Sequence, residues 1–278
     1  MPTLPRGLDE TVRRALEEDL GSAGDVTSVS LLRPEDRCTA RLEARADGVV
    51  AGLPVAERVF LAVDPSVGFE PELRDGDRVA DGQALARLEG PARAVLGGER
   101  VALNFLTHLS GIATLTRRYV DACAGTESMV LCTRKTLPGL RSLERYAVLC
   151  GGGALHRAGL YDGILIKDNH VALAGGVAEA VRRARARAPH TLRVQVEVET
   201  LAQVDEALAA GADAVLLDNA DVDTVKRAAD MVGDVPLEVS GGMTLEMTAE
   251  VAGAAKLLIS VGRITHSAPA LDIALEVE

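Results

Sequence analysis

The sequence predicts an α/β protein whose larger, C-terminal part is an incomplete or irregular (β/α) barrel, with an open doubly wound sheet as the alternative. Three observations carry this expectation. From residue 129 onward, short apolar runs alternate with Ala-rich helical segments, the pattern of right-handed βαβ units around a parallel sheet. Six such runs occur, at 129–133, 163–167, 193–199, 213–217, 236–240 and 256–261, short of the eight of a closed barrel. Each run also ends on polar or glycine residues, where such folds gather their chemistry.

The segment before residue 129 reads differently. Leu8, Val12, Leu16 and Leu20 recur every fourth residue, and Gly21 follows, so 8–20 is an amphipathic helix. Residues 38–52 alternate like a strand, and 73–89 is a strand-turn stretch punctuated by Asp-Gly pairs. The rhythm GDRVADGQAL at 76–85 is similar to the hammerhead of lipoyl or biotinyl carriers. A carrier needs an acceptor lysine, and no Lys occurs before Lys135, so that class is set aside. A long helix over 98–123 then leads into the repeating part. The domains expected are 1–110 and 111–267, with 268–278 packing back on the first.

Composition narrows the function. The 278 residues can bury a large core, yet aromatics are only 2% with no Trp, so that core is built from Ala, Val, Leu and Ile. Few stacking side chains and a net charge of −11 argue against nucleic acid as a partner. No apolar run approaches membrane-spanning length, and the N-terminus lacks the cationic and apolar regions of a signal peptide, so a cytoplasmic location is expected. Cys38, Cys123, Cys132 and Cys150 have no metal-type spacing and read as reduced thiols. The only lysines are Lys135, Lys167, Lys226 and Lys256 in an Arg-rich chain, which singles each out as a compact, tunable charge.

The strand ends supply the candidate site. Arg134 and Lys135 follow the first run, and Lys167, Asp168, Asn169 and His170 follow the second. Glu197 and Glu199 end the third, Asp218 and Asn219 the fourth, Ser240, Gly241 and Gly242 the fifth, and Gly262 and Arg263 the sixth. Cations, carboxylates and Gly-rich turns together are the inventory for a multiply charged anion, a divalent metal and a phosphate cradled by backbone N–H groups. Each has a plainer reading. A strand-end Asp is commonly a helix cap, and Glu199 heads a helical segment, so it takes a capping-region role. Glu197 shares a face with Gln195 inside the strand, where an inward carboxylate is costly unless paired or metal-bound. His108 fits a satisfied core histidine and a functional one equally.

These motifs, in order, are ERVALNFLTHLSGIAT, CTRKT with PGLR, ILIKDNH, VEVET, VLLDN, SGG and SVG with ITHS. The sequence resembles the quinolinate phosphoribosyltransferases over nearly its whole length, most specifically in TRKT and LIKDNH. The resemblance implies an N-terminal α/β sandwich followed by an irregular α/β barrel. It implies transfer of the phosphoribosyl group of phosphoribosyl pyrophosphate (PRPP) to quinolinate with decarboxylation. The products would be nicotinate mononucleotide, pyrophosphate and CO2, in de novo NAD biosynthesis, with Mg2+ as cofactor. It also implies a homodimer with a shared active site, or a higher assembly built from it.

By position, Arg134, His156, Arg157 and Lys167 would meet the substrate carboxylates, and Arg100 would come from the partner subunit. Lys135 would reach the substrate and phosphate region. Glu197 and Asp218 would be the metal-side carboxylates, with Lys135 and Lys167 beside them as catalytic groups. Ser240, Gly241, Gly262, Arg263 and His266 would bind phosphate. The chain departs from the family where Leu155 replaces an Asn, Leu137 replaces a Thr, Arg263 enters the phosphate turn, and GAAK occupies 253–256. Leu137 and Leu155 could alter the acceptor pocket, which would suit a relative acting on another pyridine or heteroaromatic carboxylate. A Schiff-base lyase using Lys167 would leave the arginines and both carboxylates without a task. A non-catalytic pyridine-nucleotide binding protein would not need Glu197 and Asp218.

Overall fold

The computed structural model describes residues 2–278, which form two compact units. The first comprises the chain up to Arg117 together with Leu137–Gly152 and Ile264–Glu278; the second is Arg118–Thr136 with Gly153–Arg263.

In the first unit, α1 (Leu8–Leu20) and α2 (Val26–Leu31) precede β1 (Arg37–Ala44) and the short β2 (Gly48–Val49). Then come α3 (Leu53–Val63), β3 (Gly68–Pro71), β4 (Arg78–Val79) and β5 (Ala84–Pro91). The predicted strand at 38–52 is therefore two strands, broken by the turn at 45–47, and α1 has the expected bounds. The long helix α4 (Ala92–Ala122) starts six residues before the expected 98, because Gly97 and Gly98 are accommodated within it. A Cβ at Gly98 would lie 2.9 Å from the Phe60 ring, so the glycine lets α4 approach α3.

Buried polar backbone must find partners, and α4 supplies them. Ser110 Oγ accepts from Ala51 N–H at 3.0 Å, and Thr114 Oγ1, one turn along, accepts from Val49 N–H at 2.8 Å. The buried Asp75 carboxylate accepts from Gly52 and Leu53 N–H at the start of α3, and from Tyr146 Oη at 2.7 Å. Burial pushes the Asp75 carboxyl above the usual range despite these donors.

In the second unit the chain alternates strand and helix: β6 (Met129–Leu131), then α5 (Arg141–Cys150), which belongs to the first unit, then β7 (Ile164–Ile166), α6 (Asp168–Ala174) and α7 (Val177–Arg185). It continues through β8 (Val194–Val198), α8 (Leu201–Ala209), β9 (Ala214–Asp218), α9 (Val222–Val232), β10 (Leu237–Ser240), α10 (Leu245–Ala252) and β11 (Leu258–Ser260). The four-residue α11 (Arg263–His266) leads back to the first unit, where β12 (Ile273–Val277) pairs antiparallel with β1. The sheet of the first unit has the order β12-β1-β5-β3 and is antiparallel throughout.

The six strands of the second unit lie in the order β6-β11-β10-β9-β8-β7, all parallel. Every β7-to-β11 neighbour is the next strand in sequence, and β6 sits beside β11. A doubly wound sheet would reverse direction at a switch point; this order is that of a barrel opened between its first two strands. The barrel is thus incomplete, with only a single parallel bridge from Leu131 to Ala154 extending β6 on its free side. Strands buried on both faces read as apolar runs, as Val215, Leu216 and Leu217 of β9 do.

At Gly111 of α4, a Cβ would lie 2.1 Å from Pro269 O and 3.0 Å from Ala270 Cα. Helix propensity alone would make Gly111→Ala stabilising by about 1 kcal/mol. The contact reverses the sign: Gly111→Ala is expected to destabilise by about 1–3 kcal/mol through overpacking, read from the denaturant midpoint.

Candidate active site

The C-terminal ends of β6 to β11 all belong to the second unit, and the alternation along each strand decides what reaches them. In β8, Val194, Val196 and Val198 are buried on one side, while Gln195 and Glu197 share the other. The pairing of β8, β9 and β10 then brings Glu197, Asp218 and Ser240 to the ends of three adjacent strands. Glu197 forms an ion pair with Lys167, whose backbone N–H donates to His170 Nδ1 at 2.9 Å and opens α6. Lys167 and Glu197 are therefore one ion pair rather than two independent strand-end charges.

Asp218 is held by its neighbour. Asn219 Nδ2 donates to Asp218 Oδ2 at 2.7 Å, and Asn219 N–H donates to Ser240 O at 2.9 Å. Asn219 has φ +53°, the one left-handed non-glycine backbone among the described residues, and Asn tolerates that region better than most side chains. Gly241 follows with φ +93°, and a Cβ there would sit 2.2 Å from Asn219 Oδ1. So the glycine of the SGG turn is required twice, by its backbone and by its neighbour. Sequence reasoning named Asn219 as a strand-end residue but gave it no role; it ties the carboxylate of one strand to the turn of the next.

The cations of the second unit converge. Arg157 lies near enough to Arg134 that, after burial, the Arg134 charge is the next cause pulling the Arg157 guanidinium below its usual range. Among the described residues neither Arg134 Nε nor Arg157 Nε has a hydrogen-bond partner, although both atoms are buried. Two guanidinium groups that feel each other's charge, each with a buried Nε–H lacking an acceptor, are suited to receiving an anion. The loop carrying Arg157 is fixed locally: Arg157 Nη1 donates to Gly163 O at 2.9 Å, and Asp162 accepts from Ala158 and Gly159 N–H. Lys135 is exposed just beyond Arg134, its N–H donating to Thr133 Oγ1 at 3.1 Å.

His156 and a residue absent from the sequence prediction, Glu238, lie deeper. Glu238 of β10 is only 2% exposed. It accepts from Gln195 Nε2 at 2.6 Å and from Ser260 Oγ, and meets His156 Nε2 at 3.2 Å. Burial works to raise its pKa, but these hydrogen bonds, that of His156 foremost, outweigh it and hold the carboxyl below the usual glutamate range. Its one sequence signal is LEVS at 237–240, a carboxylate inside an apolar strand.

Other candidates have plain outcomes. Thr200, not Glu199, caps α8, through Gln203 N–H at 3.3 Å; Glu199 N–H donates to Gln203 Oε1. His108 pairs at 3.0 Å with Glu144, which is fully buried and also accepts from Leu137 N–H. His108 is thus a satisfied histidine, and its partner anchors the loop after TRKT. Leu137 and Leu155 are 45% and 38% exposed, so the lost polar groups left no buried donor unpaired. Gly262 and Arg263 end β11 in the second unit, with Arg263 exposed. Arg100, exposed on α4, and His266, bonded to Ser267 Oγ at 2.6 Å, belong to the first unit. All four cysteines are free, three of them buried.

Fold and rim together define an α/β-barrel protein built to take an anion at its strand ends. Two family profiles match the chain: quinolinate phosphoribosyl transferase, N-terminal domain, over residues 25–110, and its C-terminal domain over 112–276. The chain belongs to the quinolinate phosphoribosyltransferase family. It is 46% identical to a probable nicotinate-nucleotide pyrophosphorylase (carboxylating) of Bacillus subtilis, over 94% of this chain and 90% of that one. With the nicotinate-nucleotide pyrophosphorylase (carboxylating) of Mycobacterium leprae it shares 44% identity over 96% of both. The crystal structure of NadC from Streptococcus pyogenes superimposes with a TM-score of 0.95 at 40% identity, covering 100% of this chain and 99% of that one.

The buried Glu238 has a pH consequence. An acid whose pKa is lowered by folding adds stability that is present above its unfolded pKa and lost as pH falls through the folded one. Below about pH 4.5 the parent is expected to lose stability more steeply than Glu238→Gln, compared by denaturant midpoints across pH.

Proposed function

We propose that this protein transfers the phosphoribosyl group of PRPP to quinolinate with loss of CO2, forming nicotinate mononucleotide and pyrophosphate in the de novo route to NAD. The observation that carries this reading is the Arg134–Arg157 pair, two adjacent guanidinium groups with buried, unpartnered Nε atoms. Such a pair suits a rigid dicarboxylate, whose ring nitrogen must be held in line with the ribose C1. Lys167 completes the clamp, with His156 held behind Arg157, and Arg100 of a partner subunit would close it in a homodimer. The same reading places the enzyme in the cytoplasm.

The residues divide the charge of the reaction. Loss of pyrophosphate from C1 builds positive charge on the ribose, which Glu197 and Asp218 face, and negative charge on the leaving group, which Lys135 and the turns at Ser240, Gly241, Gly262 and Arg263 receive. Among the described residues no cluster of three His, Cys, Asp or Glu side chains could hold a metal alone. Two carboxylates with hard oxygens fit Mg2+, which commonly takes one or two protein carboxylates and completes its shell with substrate phosphates and water. When bound it would supply charge neutralisation for the pyrophosphate. After transfer the ring nitrogen is cationic, an electron sink for loss of the adjacent carboxylate. Lys167, released from Glu197 as substrate arrives, would steady that carboxylate or the carbanion left behind.

Turnover with PRPP, Mg2+ and quinolinate, following CO2 and the nucleotide, is expected to yield nicotinate mononucleotide in preference to products from other pyridine carboxylates. Preference for another acid would overturn the substrate assignment. Arg134→Ala should raise the quinolinate KM at least tenfold, in line with about 1.5–3 kcal/mol for charge-assisted bonds, while leaving the PRPP KM close to parent. Chelation of divalent metal should abolish turnover reversibly, and activity that survives in excess chelator would sink the metal assignment.

A further inference from the structure

Beneath the rim lies a second layer of polar groups inside the barrel. Gln195 is two residues before Glu197, Glu238 two before Ser240, and Ser260 two before Gly262, so each shares the inward face with the strand-end residue above it. Glu238 joins this layer. One carboxylate oxygen, Oε2, serves both Gln195 Nε2 and His156 Nε2, while Oε1 takes the Ser260 hydroxyl. The carboxylate therefore links β10, β8 and β11 to the loop after residue 153 without contacting the rim.

His156 is where this layer meets the clamp. Arg157 N–H donates to His156 Nδ1 at 2.7 Å, so Nδ1 carries no proton. The proton sits on Nε2 and points at Glu238. A carboxylate behind an imidazole fixes which ring nitrogen is free to accept, as it does behind metal-bound histidines. The family resemblance would make His156 a direct substrate contact, yet both of its ring nitrogens are engaged within the protein.

We propose that Glu238 is a positioning residue for the acceptor substrate. It holds His156 in the Nε2–H tautomer, so that Nδ1 can fix the backbone at Arg157 and keep its guanidinium beside Arg134. This inference rests on reading Arg134 and Arg157 as the clamp for the acceptor carboxylates. Its mechanism is specific: what matters is an acceptor facing His156, not the volume or charge of the side chain.

Three variants separate this from a merely structural role. Glu238→Leu keeps the bulk but removes the acceptor, and should raise the quinolinate KM about tenfold, the cost of one buried hydrogen-bond link, with the PRPP KM near parent. Glu238→Gln retains an oxygen for His156 and should restore the quinolinate KM to within about threefold of parent. Ser260→Ala removes a donor from the same carboxylate without touching His156, and should leave both KM values near parent. Independently of turnover, 15N NMR of histidine-labelled protein should show His156 as the Nε2–H tautomer in the parent and as Nδ1–H in Glu238→Leu. A parental KM in Glu238→Leu, equal rises in all three variants, or an Nδ1–H histidine in the parent would overturn the proposal. If Glu238→Leu does not fold, the parental tautomer and the Glu238→Gln KM still decide it. If the parent does not turn over quinolinate at all, the substrate reading fails while the tautomer measurement stands.

Discussion

Parallel strands of equal direction force their C-terminal residues onto one rim, and side chains two residues apart onto one face. The second unit is organised by that constraint. Asp218 and Ser240 are register partners, Glu197 is paired with Leu216 two residues before Asp218, and Gln195, Glu238 and Ser260 each precede a strand-end residue of their own strand by two. A polar rim thus brings a polar floor with it only if the floor satisfies itself. The three donors around Glu238 do this, which is how a carboxylate can occupy the middle of a Val- and Leu-rich barrel. The contrast with the arginines is informative: the buried anion has been given its partners by the fold, whereas Arg134 and Arg157 each keep one buried nitrogen without an acceptor.

Much of this was legible from residues alone. The repeated strand-and-helix pattern with polar strand ends pointed to the barrel and to its rim, and the inward placement of Glu197 followed from the alternation with Gln195. What escaped had physical reasons. Glu238 sits within PLEVS, where one acidic residue among apolar ones looks like an ordinary face change; only the three-dimensional return of Ser260 and His156 gives it meaning. The pairing of His108 with Glu144 joins residues 36 apart on different helices, which no local period reveals. The helix α3 went unread because its N-terminal signal is Asp75, a capping carboxylate from a distant turn, instead of a side chain adjacent in sequence. Strand ends and helix starts with local caps, such as Thr200 and Asp221, are where sequence speaks most directly.

The two units obey different economies. In the first, an antiparallel sheet and α4 satisfy each other's polar groups through Ser110 and Thr114, so helix identity is set by hydroxyls one turn apart as much as by apolar residues. In the second, strands and helices of small aliphatic side chains fill the space that aromatic residues occupy elsewhere, consistent with a chain having three Phe, three Tyr and no Trp. Close packing leaves little slack in either unit: Gly98 is fixed by the Phe60 ring, Gly111 by the Pro269 backbone and Gly241 by the Asn219 side chain, each within about 3 Å of where a Cβ would sit.

The antiparallel sheet has two open margins, and each carries a defence against joining another chain. On one, β3 ends in Pro71, which cannot donate to a new strand. On the other, β12 presents Glu276 and Glu278, matched to Arg45 and Arg41 on its own side of the sheet. An approaching strand would meet fixed charge before it met free backbone groups. Residues 276–278 therefore do more than complete a sheet: they put fixed charge along an edge strand, a feature that disfavours edge-to-edge pairing.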